Sequence, residues 1–154
     1  ELSRAAGVDI NPITNGPAVN ESLETSVPGV FAAGNVLHVH DLVDYVSEEA
    51  ERAGLGAVAY VNGRAATGET VATKPGNGVR YVLPQKVHVG GEVNLFLRVT
   101  QPFGKCVFTV SSGDQVLTTA KRIMAAPGEM EKLTIKKELL KSVTGEITVS
   151  LEEA

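Results

Sequence analysis

The chain has 154 residues, enough for one good core or two small ones. Its formal charge of −4 gives no footprint for nucleic acid, and no apolar run approaches the length of a membrane span. The charge is uneven: residues 1–76 carry four Lys/Arg against ten carboxylates and residues 77–154 carry ten against eight, which predicts two units with different surfaces.

The chain opens on Glu1 with no initiator Met, and Glu1 to Ala6 reads as a short helix ended at Gly7. Val8-Asp9-Ile10 with Val19 predicts a small hairpin around Asn15-Gly16, because Asn-Gly is a strong two-residue turn signal. Pro28-Gly29 marks a further turn, and Val30-Phe31-Ala32-Ala33 is an apolar run too short for a helix, so it reads as a buried strand. Gly34 allows a sharp turn or a close ligand approach, and Asn35 places a polar side chain at the carboxyl end of that strand, the edge where open α/β sheets bind ligands. A helix is predicted from Leu42 to about Asn62, with Val46, Ala50, Ala53, Ala57 and Val61 on its apolar face and Asp41 as N-cap. Gly54-Leu55-Gly56-Ala57-Val58-Ala59 matches the Gly-x-Gly-x-x-Gly/Ala pattern but continues a helix instead of opening one after a strand. Its small residues therefore predict close helix packing, not a phosphate-binding turn.

The stretch Thr25-Ser26-Val27-Pro28-Gly29-Val30-Phe31-Ala32-Ala33-Gly34-Asn35 resembles the second flavin-binding motif of the pyridine nucleotide-disulfide oxidoreductase superfamily: Thr, a short spacer, Val-Phe-Ala, any residue, Gly-Asp. Asn35 stands where that motif has Asp. The resemblance covers residues 1 to about 62 and implies the C-terminal segment of an FAD-binding domain. Gly34 and Asn35 would then lie near the ribitol and pyrophosphate, and the backbone N–H groups of Val43 and Asp44 at the pyrimidine edge of the flavin. There they would stabilise negative charge on the reduced ring. The superfamily's pyrophosphate-binding Gly-x-Gly-x-x-Gly turn does not open this chain. The reading is therefore a C-terminal piece of an FAD- and NAD(P)-dependent oxidoreductase. Alone it is inactive and holds no FAD, and its partners are the remaining FAD and NAD domains.

His38-x-His40-Asp41 invites a metal reading, since His-x-His at a strand end begins the amidohydrolase metal site. Zinc-type sites need three or four ligands, and the remaining histidine, His88, falls in the other unit. A loop lining a flavin pocket, or plain surface, is the preferred role, with an acid–base histidine there as an open idea, metal-assisted hydrolysis ranked last, and no metal-ligand set assigned.

Residues 63–78 have the composition of a linker, and residues 79–154 read as all-β. Seven strands are predicted: Val79–Leu83, Lys86–Val89, Glu92–Thr100, Lys105–Ser111, Gln115–Ile123, Glu131–Lys136 and Glu146–Glu152, with one helical turn in Lys137–Ser142. Their spacing suggests an immunoglobulin-like β-sandwich, giving an α+β chain overall. Cys106, Phe108 and Val110 share one strand face, so the single cysteine reads as a buried structural thiol. Lys121-Arg122 and Lys136-Lys137 read as solvated strand and turn ends, and the chain as cytoplasmic. The rival reading is a β-sandwich interaction module without catalytic activity. Apolar residues of 30–33 and of the long helix that lack their parent cover, Phe31 among them, predict either a homodimer or a segment folded back onto the β-sandwich.

Overall fold

The computed structural model describes residues 2–143 and 145–154 as two compact units, Glu1–Thr67 and Gly68–Ala154, in an α+β chain. Glu1, read as the first residue of the opening helix, and Thr144, read into a turn, lie outside the described residues. No helix among the described residues is long and apolar enough to cross a membrane.

In the N-terminal unit, helix α1 (Leu2–Ala5) stops at Gly7, whose φ of 75° suits a residue without a Cβ. Gly7 N–H donates to Arg4 O and Val8 N–H to Ser3 O, the paired bonds of a Schellman end. The Asn-Gly turn forms with Asn15 at φ 57°, but Ile10 bridges Pro17 and Ala18 N–H donates to Asp9 O. Val19, expected in that hairpin, bridges Thr25 instead.

Residues 30–33 do not form the expected strand. Phe31 makes an isolated antiparallel bridge to Glu24, with Thr25 N–H donating to Val30 O and Ala32 N–H to Leu23 O. The physical reason is local. The described residues of this unit supply only isolated bridges and no sheet to join, so the segment satisfies its backbone on the nearest turn.

Helix α2 (Val43–Val61) is capped by the backbone of Leu42, with no side-chain hydrogen bond at the cap, so the expected Asp41 N-cap is corrected by one residue. Its buried positions are Glu49 and Gly56, and Val46, Ala53 and Ala57 are half-buried. Ala50 and Val61, expected on the buried face, are exposed. Phe31, expected to lack cover, lies edge-on to Tyr60 of α2 at 6.4 Å between ring centroids.

Gly56 is what lets the helix sit so close. A Cβ there would fall 2.6 Å from Ser22 O and 2.8 Å from Phe31 Cε1, whereas one at Gly54 would meet nothing within 4 Å. The expected close packing by small residues therefore belongs to Gly56 alone. Gly54→Ala should raise stability by about 0.5–1 kcal/mol through reduced unfolded-state freedom. Gly56→Ala should lower it by about 1–3 kcal/mol through overpacking. Paired denaturant melts check this, and equal shifts for the two variants would contradict it.

Among the described residues the C-terminal unit contains eight strands, one more than predicted: β1 (Thr70–Pro75), β2 (Val79–Leu83), β3 (Lys86–His88), β4 (Val93–Val99), β5 (Cys106–Ser112), β6 (Gln115–Arg122), β7 (Glu131–Ile135) and β8 (Ile147–Glu153). The added strand β1 lies inside the stretch 63–78 expected to be linker. Val71 and the polar Thr73 are buried on its inner face, so the alternation carries a single buried apolar side chain and the composition stays linker-like. One sheet runs β3-β1-β8-β5-β6 and the other β2-β4-β7, with β1 parallel to β8 and every other pairing antiparallel. Inward residues of both sheets, including Val93, Leu95 and Leu97 of β4, Cys106, Phe108 and Val110 of β5 and Ile147, Val149 and Leu151 of β8, join one core. Helix α3 (Lys137–Leu140) is the predicted single turn, and Leu140 closes over that core.

Cys106 is buried, and that burial, with the Glu131 carboxylate, pushes its thiol above the ordinary range, as suits a structural cysteine. Arg122, expected to be solvated, instead pairs with the buried Glu131 at 2.8 Å between Nε and Oε2.

Candidate functional site

The four residues that the sequence singled out lie around the turn that leads into α2. Gly34 opens a 3-10 turn (Gly34–Val36) at φ 74°, which glycine adopts without steric cost, and a Cβ added there would press on Val46 Cγ1 at 3.3 Å. Asn35 is exposed, and its Oδ1 accepts the His40 N–H at 3.1 Å, closing the loop between the turn and the helix. Val43 and Asp44 are the first two residues of α2 and both are exposed. Their N–H groups belong to the helix's first turn, where donors have no intrahelical partner. Val36, Val39, Leu42 and Val43 are each at least half exposed, an apolar rim along the same loop.

The residue that sequence reading missed is Glu49. It sits on α2 between two apolar positions and is fully buried. Its Oε2 accepts the Gly34 N–H at 2.9 Å and lies 3.0 Å from His40 Nε2, and its Oε1 lies 2.8 Å from His38 Nε2. One carboxylate thus ties the glycine turn, both histidines and the helix together. Burial pushes the Glu49 carboxyl pKa up, but the His38 hydrogen bond and charge, the Gly34 N–H and the His40 charge outweigh it, and the net shift is downward. An ionised carboxylate only accepts, so in this form both rings present N–H through Nε2.

His38 and His40 are two residues apart, an interval that puts both side chains on the same face of an extended segment. Their rings converge, edge to face, with centroids 4.5 Å apart. The signal that could have found Glu49 was its place in the helical period. It falls three residues after Val46 and four before Ala53, where an apolar residue is expected and a carboxylate is costly unless paired.

The lowered Glu49 value has a consequence with a fixed sign. A carboxyl whose folded pKa lies below its ordinary 4.5 contributes stability that is complete above that value and is lost as pH falls through the lower, folded one. The N-terminal unit of the wild type should therefore weaken in that acid range, and Glu49→Gln should show a flatter profile. Amide exchange of the Gly34 N–H against pH reads this directly; identical acid slopes in the two proteins would exclude it.

Comparison with protein-family models, with curated proteins and with solved structures finds no match to this chain.

Proposed function

We propose that the chain is the C-terminal part of an FAD- and NAD(P)-dependent oxidoreductase that transfers hydride through a bound flavin, in a cytoplasmic setting. Residues 1–62 would complete its FAD-binding domain, and residues from β1 onward would form an immunoglobulin-like β-sandwich. The observation that carries this reading is the Gly34 turn. It takes an extended segment at 30–32 into the open start of α2 and is held there by the buried Glu49. That order, apolar segment, glycine turn, polar residue and helix N-terminus, is the one the flavin motif uses.

The proposed contacts follow from the donors and acceptors present. The N–H groups of Val43 and Asp44 at the positive end of α2 would face the N1/O2 edge of the flavin and stabilise charge there on reduction. Asp44 would contribute through its backbone, because its carboxylate would oppose an anionic ring. Asn35, with Oδ1 engaged by His40 N–H, keeps its amide NH2 for a ribitol hydroxyl, a donor where the family's Asp accepts. The exposed apolar rim at Val36, Val39, Leu42 and Val43 suits a surface that the cofactor and the remaining FAD domain cover. A groove of about 420 Å³ lined by Leu2, Val8, Phe31, Ala33 and Val36 suits the same partner.

The topology of the C-terminal unit supports a sandwich of immunoglobulin type. β4 to β5 and β7 to β8 each pass from one sheet to the other, as in Greek-key connections. The core built from this unit's own residues favours a second reading, an interaction module without catalysis.

The 154-residue chain purified with excess FAD should retain no flavin absorption after gel filtration, because it carries no phosphate-binding turn to fix the pyrophosphate. Retention of one flavin per chain would contradict that expectation. In the intact parent protein, Gly34→Val should lower flavin content, since the turn's φ and the Val46 contact both exclude a side chain. Unchanged flavin content in a folded Gly34→Val protein would remove Gly34 from the cofactor site.

A further inference from the structure

We propose that His38, His40 and Glu49 form a binding site for a divalent transition-metal ion of the zinc class. The proposal does not rest on the flavin reading. Its basis is a set of three donors, two imidazole nitrogens and a carboxylate, whose ligand atoms all lie within 4.8 Å of one another.

The donors are near neighbours, and any pair at the 4.8 Å limit must close to about 4.2 Å to share an ion about 2.1 Å from each. The two nitrogen–oxygen separations are 2.8 and 3.0 Å, and donors that far apart subtend roughly 90° at an ion about 2.1 Å from each. The side chains of His38, His40 and Glu49 are 1%, 2% and 0% exposed, so the donors are held by packing and pay little further ordering cost on binding. Two imidazoles with one carboxylate form a borderline donor set that suits zinc, cobalt, nickel or copper better than calcium or magnesium.

Charge points the same way. Glu49 is a fully buried anion, and the groups acting on it are His38, His40 and the Gly34 N–H, with no lysine or arginine among them. A buried charge is costly unless it is paired, and a dication supplies that pairing while both imidazoles stay neutral. The His40 ring also leaves room for the required tautomer. Its Nδ1 is buried and finds no partner among the described residues, so no donor there pins the ring proton to Nε2. Binding would shift that proton to Nδ1. The third ligand comes from the helix, eleven residues after His38 and nine after His40, which is why counting histidines along the sequence did not reveal it.

The test uses the chain itself, freed of metal with a chelator and dialysed, then titrated with Co(II) and Zn(II) in competition with a chromophoric chelator. One equivalent should bind saturably, and the Co(II) form should show visible d–d absorption that Zn(II) abolishes. In the proton NMR spectrum of the Co(II) form, two of the three histidines should carry paramagnetically shifted ring signals. His40→Ala should lose the binding, and His88→Ala should keep it. If His40→Ala proves unfolded by circular dichroism, the wild-type histidine shifts alone decide. No saturable binding by the folded chain, or shifts of His88 instead of His38 and His40, would overturn the proposal and leave a hydrogen-bonded His–Glu–His cluster.

Discussion

In metal-free buffer, Glu49→Ala should destabilise the N-terminal unit by about 3–5 kcal/mol, the usual cost of removing one member of a buried charged cluster. The loss is large because three groups are orphaned together: the Gly34 N–H and the Nε2 atoms of His38 and His40 all meet at this one carboxylate. Glu48→Ala is the matched control. Its carboxylate pairs with Arg52 one turn later on a partly exposed surface, and such pairs contribute about 0.3–0.5 kcal/mol. Hydrogen exchange of the Gly34 amide reports on the cluster, and denaturant melts report on the unit. A Glu49→Ala loss no greater than that of Glu48→Ala would mean that the cluster does not hold the turn.

A fragment beginning at Gly68 should fold, and one beginning at Val79 should not. Residues 79–154 looked from sequence like the complete β-domain, yet β1 lies between β3 and β8 in the five-stranded sheet. Cutting at 79 removes Val71 from the core, worth about 1.5–3 kcal/mol of burial. It also strips the backbone partners from β3 and one edge of β8, and it leaves that edge open to pairing with other chains. Together these approach the whole stability of a small domain, which is about 5–15 kcal/mol. Amide dispersion in NMR spectra of the two fragments distinguishes them. A well-dispersed, monomeric 79–154 fragment would show that β1 is an accessory strand.

What the sequence disclosed followed from periodicity and turn chemistry. The alternations Val93/Leu95/Leu97/Val99 and Ile147/Val149/Leu151 were legible because one face of each strand meets the core, and the structure buries those residues. Gly7 and Asn15 were legible because few residues take a positive φ cheaply. β1 was not, because Thr70–Pro75 buries only two side chains and ends in Lys74-Pro75. A parallel partner 74 residues away leaves no local mark either.

At the site, Gly34, Asn35 and the start of α2 were placed by their motif, and the structure brings the glycine turn against the helix. Glu49 stayed hidden because a buried carboxylate reads as one more polar residue in Ser47-Glu48-Glu49-Ala50-Glu51-Arg52. Its role depends on a fold in which Gly34, fifteen residues earlier, comes within hydrogen-bond reach. The i, i+2 spacing of His38 and His40 puts both rings on one face, but the carboxylate on which they converge comes from the helix and leaves no mark in that spacing.

The measurement that bears most directly on the account is the visible spectrum of the intact protein that carries this sequence, purified from its natural source and then mixed with NADH or NADPH under anaerobic conditions. An oxidised flavin spectrum that bleaches on addition of one of the two nucleotides is the expected result. A pure, folded protein without flavin, or a flavin that neither nucleotide reduces, would contradict it.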